Sequence, residues 1–152
     1  MLLVKLIGAL FLSVTGFLSG KSFVDRLKKR SDVLSWHYKA IGKIGTYIGG
    51  TAKELEDIIK SISGYSFYLT LSKPFSINVK TEWLKDSDIN LLTEFFGSLG
   101  EGEIESEVAR CKMYSDLLKE AHLSANREYL EKSRLYKMLG LFSGLTIAII
   151  LG

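Results

Sequence analysis

The side chains that could do chemistry in this sequence are one cysteine and two histidines, and their surroundings in the chain are not catalytic. Cys111 follows the apolar spacing of a helix, which is typical of a buried structural thiol rather than of a nucleophile. His37 and His122 have no Glu, Asp or Cys at the spacing of a zinc site. His122 shares a helical row with Val108 and Tyr129, which indicates a histidine between packed helices.

The motifs of nucleotide binding and of acyl transfer are absent from the sequence as well. No glycine-rich loop is followed by Lys and Ser or Thr, so a P-loop is excluded. Ser19 in the segment 16–20 is not at the centre of a nucleophile elbow. Four glutamates at alternate positions from 101 to 107 lack a calcium-ligand loop, and they indicate the solvated start of a helix. We therefore expect a protein that is not an enzyme and that carries no cofactor or metal.

Apolar residues are concentrated at the two ends of the chain, since the mean hydropathy is +0.16 although 24% of the residues are charged. From residue 1 to residue 20 the only charge is Lys5, and residues 138–152 carry none. Twenty helical residues reach about 30 Å, the thickness of the hydrocarbon core of a bilayer. We predict transmembrane helices over 1–20 and 138–152, with a helical domain over 21–137 between them. A cleaved signal peptide for the first segment and a buried core helix for the second stay open as alternatives.

The basic residues beside the two segments predict the orientation of the chain. Five Lys or Arg follow the first segment within ten residues, and four precede the second. The positive-inside rule then places the middle region in the cytoplasm and both termini outside, in a two-pass membrane protein. We interpret the first basic cluster as a topology anchor that also faces partners, in preference to a nucleic-acid or lipid-specific patch. Its members are Arg26, Lys28, Lys29 and Arg30.

Glycines four residues apart lie in both predicted membrane segments, as Gly16 and Gly20 in the first and as Gly140 and Gly144 in the second. Such pairs allow the backbones of two helices to approach closely in lipid. We therefore assign these four glycines to helix packing in the membrane. The pattern fits packing within one chain and packing between copies in a homo-oligomer equally well.

The middle region predicts two long helices and two short ones. Apolar or small residues at period seven between 24 and 48 predict a helix that continues from the first membrane segment to Gly50. A short helix capped by Thr51 and Glu54 follows. A second short helix has its N-cap candidates at 86–88 and ends at Gly100, where we expect a left-handed backbone. Its inward-facing residues are predicted to be Leu91, Leu92, Phe95, Phe96 and Leu99. Residues 65–80 alternate between apolar and polar, so they form either a β-hairpin or irregular chain on the helices.

The last predicted helix begins near Glu103 and enters the membrane without interruption, since no Pro or Gly lies between Glu103 and Leu139. Its acidic start and basic end suit the helix dipole, and Glu128 is placed to pair with Lys132. We expect the two long helices to lie side by side, antiparallel and coiled. A row of small and apolar residues faces the partner helix: Ile104, Val108, Cys111, Leu118, Ala125 and Tyr129.

Several short segments resemble the stage III sporulation protein AB family of endospore-forming bacteria. The stretch 92–100 is similar to the family's Leu, Phe and Leu-Gly segment, and 138–145 is similar to its Leu-Gly-x-x-x-Gly-Leu membrane helix. At the front, 5–9 and 16–17, followed by a basic run, are similar to its first membrane helix. The resemblance covers nearly the whole chain.

The resemblance implies a cytoplasmic helical domain similar to the F-domain of platform proteins in type II secretion and type IV pilus systems. It also implies a place in the mother-cell membrane, in a secretion-like complex between mother cell and forespore. The partners would be a cytoplasmic ATPase, stage III sporulation protein AA, and other membrane subunits. Two other classes stay open, a holin-like pore-forming protein and a secreted helical protein released by signal cleavage.

Overall fold

The computed structural model describes the backbone of residues 2–50, 54–62 and 83–151, and the side chains of 20–50, 54–59, 61–62, 83–136 and 138–139. The described chain is mainly helical and contains no strand, which confirms the predicted class. Its helices are α1 (Leu2–Gly50), α2 (Leu55–Ile62), α3 (Asp86–Gly97) and α4 (Ile104–Leu151). Thr51 of the predicted capping box and the segment 65–80 lie outside the described residues.

No helix is long and apolar enough to cross a bilayer when only the described residues are considered. The two predicted membrane segments, 1–20 and 138–152, lie almost wholly outside the described side chains. The same holds for Gly16, Gly140 and Gly144. The predicted boundaries at 20/21 and 137/138 and the membrane packing of the glycines therefore stay predictions.

The contacts of the chain divide it into two units, of which the first comprises 1–29 and 125–152. In this unit the Tyr136 ring lies against Gly20, where an added Cβ would come within 2.7 Å of a ring carbon. The Phe23 ring packs on Tyr136 with centroids 5.9 Å apart, and the Lys132 ammonium lies 5.1 Å from the Phe23 centroid. Lys132 also forms the predicted salt bridge with Glu128, at 2.8 Å. Gly20 thus allows a close approach between α1 and α4.

The second unit comprises 30–124, and in it α1 packs against α4 in antiparallel direction. Ser31 contacts His122, and the Ser115 hydroxyl donates a hydrogen bond of 2.9 Å to the Tyr38 carbonyl. Numbers on α4 therefore fall as numbers on α1 rise, which confirms the predicted antiparallel pair. The predicted row on α1 is also confirmed, because the members of its central part are buried or half-buried: Ser31, Leu34, Tyr38, Ile41 and Gly45.

The predicted row on α4 is confirmed at its centre and wrong at its start. Cys111, Leu118 and Ala125 are buried, whereas Ile104 is 65% exposed. Ile104 is the first residue of α4, so no earlier turn of the helix covers its side chain. The apolar spacing alone did not show where contact with the neighbouring helices begins.

Helix α3 is capped by a residue other than the expected one. The sequence favoured 86–88 as N-caps, but the N-cap is Lys85, whose backbone N–H donates to the Asp88 carboxylate at 3.0 Å. The apolar side of α3 is buried as predicted, with Phe95 and Phe96 at its centre. Gly100 has the predicted left-handed backbone, with φ of 86°.

Replacing Gly45 with alanine is expected to lower the free energy of unfolding by about 2 kcal/mol, because overpacking costs more than the alanine gains in helix propensity. An added Cβ at Gly45 would lie 2.7 Å from the Cβ of Cys111, an atom that only the backbone can move. Urea unfolding of the full chain in mild detergent, followed by circular dichroism, measures the loss.

The matched control is Gly42→Ala, where the new Cβ would lie 3.4 Å from the Ser115 hydroxyl oxygen. We expect this variant to unfold at the wild-type urea concentration or above. A double variant, Gly45→Ala with Cys111→Gly, lacks the Cys111 Cβ that the new side chain would meet, so it should recover part of the lost stability. Equal behaviour of the two alanine variants would contradict the close approach at Gly45.

Candidate functional site

A buried ion pair joins α1 to α3 and corrects the prediction for Arg30. Arg30 is 7% exposed, and it donates from Nε and Nη2 to the two Asp88 oxygens at 2.8 and 3.0 Å. Arg30 therefore does not belong to an outward-facing basic cluster. The remaining members, Arg26, Lys28 and Lys29, are exposed.

The spacing along α1 explains why Arg30 is buried. Leu34, His37 and Ile41 follow it by four, seven and eleven residues, and all three are 0% exposed. Residues at these intervals share one side of a helix, so Arg30 lies on the side that faces the core. The spacing of Arg30 with these apolar residues is visible in the sequence, but the basic residues around Arg30 favoured an exposed cluster.

Glu107 corrects the expectation of a solvated acidic start for α4. It is 4% exposed, and its carboxylate accepts hydrogen bonds from the N–H groups of Gly100 and Gly102 at 3.3 and 3.0 Å. Arg110 donates to the same carboxylate at 2.8 Å and also to the Ser98 carbonyl. Glu107 thus holds the turn between α3 and α4, while the other three glutamates are exposed. Its i,i+3 spacing to Arg110 is the sequence feature that could have identified it.

The histidines and the cysteine lie inside the packed helices of the second unit. His37 is 0% exposed, and burial lowers its pKa to about 4, so the imidazole is neutral at pH 7. The His122 Nδ1 atom donates to the Ser31 carbonyl at 2.9 Å, which confirms the predicted position between helices. Cys111 is buried, as predicted, and burial raises its pKa to about 11. Across the described residues, no three His, Cys, Asp or Glu side chains are grouped to hold a metal ion.

A concave groove of about 440 Å³ lies between α1 and α2 in the second unit. Four α1 side chains that line it recur at intervals of three or four residues and so share one side of the helix: Trp36, Lys39, Lys43 and Tyr47. Ser61 and Ile62 close it from α2. The prediction from the sequence missed this groove, although the spacing of its aromatic and basic residues is visible on α1.

The charge of the groove is positive. Lys39 and Lys43 are exposed, and neither ammonium forms a salt bridge in the described part of the chain. No carboxylate is among the described residues that line the groove. The groove can therefore bind carboxylate or other anionic groups, and its aromatic walls can bury an apolar one.

These features define a helical protein in which two long helices pack antiparallel, a buried ion pair joins the first of them to a short helix, and a basic groove lies beside that first helix. A family model for stage III sporulation protein AB matches residues 61–152, which include α3, α4 and the end of α2. The chain therefore belongs to the stage III sporulation protein AB family, which confirms the suspected family. The match does not include residues 1–60, so the resemblance at 5–9 and 16–17 stays a prediction. The comparisons with curated proteins and with solved structures give no match.

Proposed function

We propose that this protein is a non-catalytic membrane platform subunit of a sporulation complex, and that its helical domain docks a cytoplasmic ATPase. The observation that carries the proposal is the family match over residues 61–152, which makes the chain a sporulation protein. The resemblance to F-domain platform proteins supplies the role of the domain. The partners are stage III sporulation protein AA and the other membrane subunits of a secretion-like channel between mother cell and forespore.

The packing of the helices in the second unit supports a docking role. The Arg30 and Asp88 ion pair fixes α3 to α1, and the close approach at Gly45 fixes α1 to α4. A partner that binds one of these helices therefore acts on all three, because packed interiors transmit displacement rather than absorb it. Such a domain can pass the assembly state of an ATPase to the helices that we predict to enter the membrane.

Binding of the purified ATPase to the full chain tests the docking. The chain is held in nanodiscs of zwitterionic lipid, and association is measured by biolayer interferometry at low and at high salt. We expect binding at low salt that weakens as salt rises, because exposed charges are screened beyond about 10 Å at 0.1 M salt. Absence of binding at low salt would rule out docking through this subunit.

Reporter fusions at both termini and after Gly64 test the proposed topology in cells. We expect both terminal reporters outside and the Gly64 reporter inside, with an uncleaved N-terminus found by mass spectrometry. Termini on opposite sides of the membrane would contradict the two-pass arrangement. A cleaved chain in the medium would favour the secreted alternative, and leakage of cells that express the chain alone would favour the holin-like one.

A further inference from the structure

We propose that the groove between α1 and α2 is the docking site for an acidic segment of the partner protein, with an apolar side chain as its anchor. The proposal deepens the proposed function and rests on it, because it names the surface and the chemistry of the segment that docks. Its size, about 440 Å³, is within the range of cavities that bury a small ligand or a few side chains.

The two lysines set the charge pattern of the segment. Lys39 and Lys43 are one helical turn apart, so their Cα atoms are about 6 Å apart along the α1 axis. Two carboxylates four residues apart on a helix, or two residues apart in an extended chain, have a similar separation. Since neither lysine has a carboxylate partner in the described part of the chain, a docked segment that supplies two acids would satisfy both.

The other walls of the groove select an apolar anchor. Trp36 is half-buried, with its ring 4.7 Å from the His37 ring, edge to face, and Tyr47 lines the groove one turn beyond Lys43. Ile62 adds an aliphatic surface from α2. Trp and Tyr are among the side chains that contribute most of the binding energy in protein interfaces once a partner has excluded water from them. A leucine or phenylalanine about one helical turn before or after the two acids would contact these walls, because Trp36 and Tyr47 lie one turn outside the two lysines on α1.

The shape of the groove favours a protein segment over a lipid surface. A bilayer presents a broad face to many side chains at once, whereas this groove is concave and is enclosed by the sides of two helices. Basic residues that bind membranes electrostatically lie in exposed clusters near the bilayer. Arg26, Lys28 and Lys29 fit that description better than Lys39 and Lys43 do.

Charge reversal in the groove tests the proposal with the ATPase as the partner. The variant Lys39→Glu with Lys43→Glu is compared with Lys112→Glu plus Lys119→Glu, which changes the same charge at exposed positions of α4. We expect the groove variant to weaken ATPase binding about tenfold and the α4 variant to leave it within about twofold, because two attractive exposed contacts become repulsive. Equal effects of the two variants, or no effect of the groove variant, would overturn the proposal.

A second measurement separates this proposal from the proposed function. In a Trp83→Phe chain the remaining tryptophan is Trp36, so its fluorescence reports occupation of the groove. The probe is a synthetic peptide with Glu-Leu-x-x-Glu repeats, and the control is the same peptide with lysine for glutamate. A saturable change with the acidic peptide only, absent in the Lys39→Gln plus Lys43→Gln variant, supports the groove even if the ATPase fails to bind. A change with phosphatidylglycerol vesicles and none with the peptide would show a lipid site and overturn it.

Discussion

Replacing Asp88 with alanine is expected to lower the free energy of unfolding by about 3–5 kcal/mol, the loss typical of breaking a buried ion pair on one side. The variant removes both hydrogen bonds from Arg30, whose side chain is 8% exposed, and leaves its charge in the interior. It also removes the acceptor of the Lys85 N–H group that caps α3. Urea unfolding of the full chain in mild detergent measures the effect.

The neighbouring carboxylate Asp86 supplies the control for this substitution. Asp86 lies in the same first turn of α3 but is exposed, so Asp86→Ala should cost less than about 1 kcal/mol. A double variant, Arg30→Leu with Asp88→Leu, should recover much of the stability, because both charges leave the interior together. If Asp88→Ala cost no more than Asp86→Ala, the buried ion pair would have no structural role.

Lowering the pH from 6.5 to 4 is expected to cost about 3 kcal/mol of stability through His37 alone, the free energy that corresponds to the gap between its two pKa values. The pKa of His37 is about 4 in the folded chain because of burial, against 6.5 when the side chain is solvated. The unfolded chain therefore binds a proton in this range that the folded chain does not. The contribution of His37 is complete above pH 6.5 and is lost as the pH falls through that range.

The variant His37→Leu isolates this contribution from that of the carboxylates. Urea unfolding of both chains is measured at half-unit steps between pH 4 and pH 8. We expect the two stability curves to run parallel above pH 7, and the wild type to lose about 3 kcal/mol relative to the variant between pH 6.5 and pH 4, because only the wild type has this buried imidazole. Parallel curves over the whole range would show that His37 is hydrated in the folded protein.

Helical periodicity predicted the parts of the fold that depend on local chain geometry. The row on α1, the centre of the row on α4 and the left-handed Gly100 follow from residue spacing and backbone preference, and the structure has them. The spacing on α1 places Arg30 on the buried side of the helix, but its partner Asp88 is 58 residues away, and no local rule contains that pairing. Glu107 has partners close in sequence, but its bonds to Gly100 and Gly102 form only because the turn after α3 folds back on the start of α4, which residue spacing alone does not show.

The candidate site was harder to predict than the helices, because its parts come from separate elements. Trp36, Lys39 and Lys43 have the spacing of one helical side, but a groove exists only where α2 lies beside them. The sequence predicted both helices without showing how they meet. The sequence favoured the basic run at 26–30 as the partner-facing surface, and one member of that run, Arg30, is a core residue.

The antiparallel pairing of α1 with α4 has a consequence for how the chain folds. Its contacts join residues far apart in sequence, 77 positions for Tyr38 with Ser115 and 91 for Ser31 with His122. Each helix forms in microseconds or less from neighbouring residues, whereas closing so large a loop is slow and carries a high entropic cost. During synthesis α1 emerges from the ribosome long before its partner exists. Chaperones or lipid therefore have to cover the apolar side of α1 until translation reaches α4.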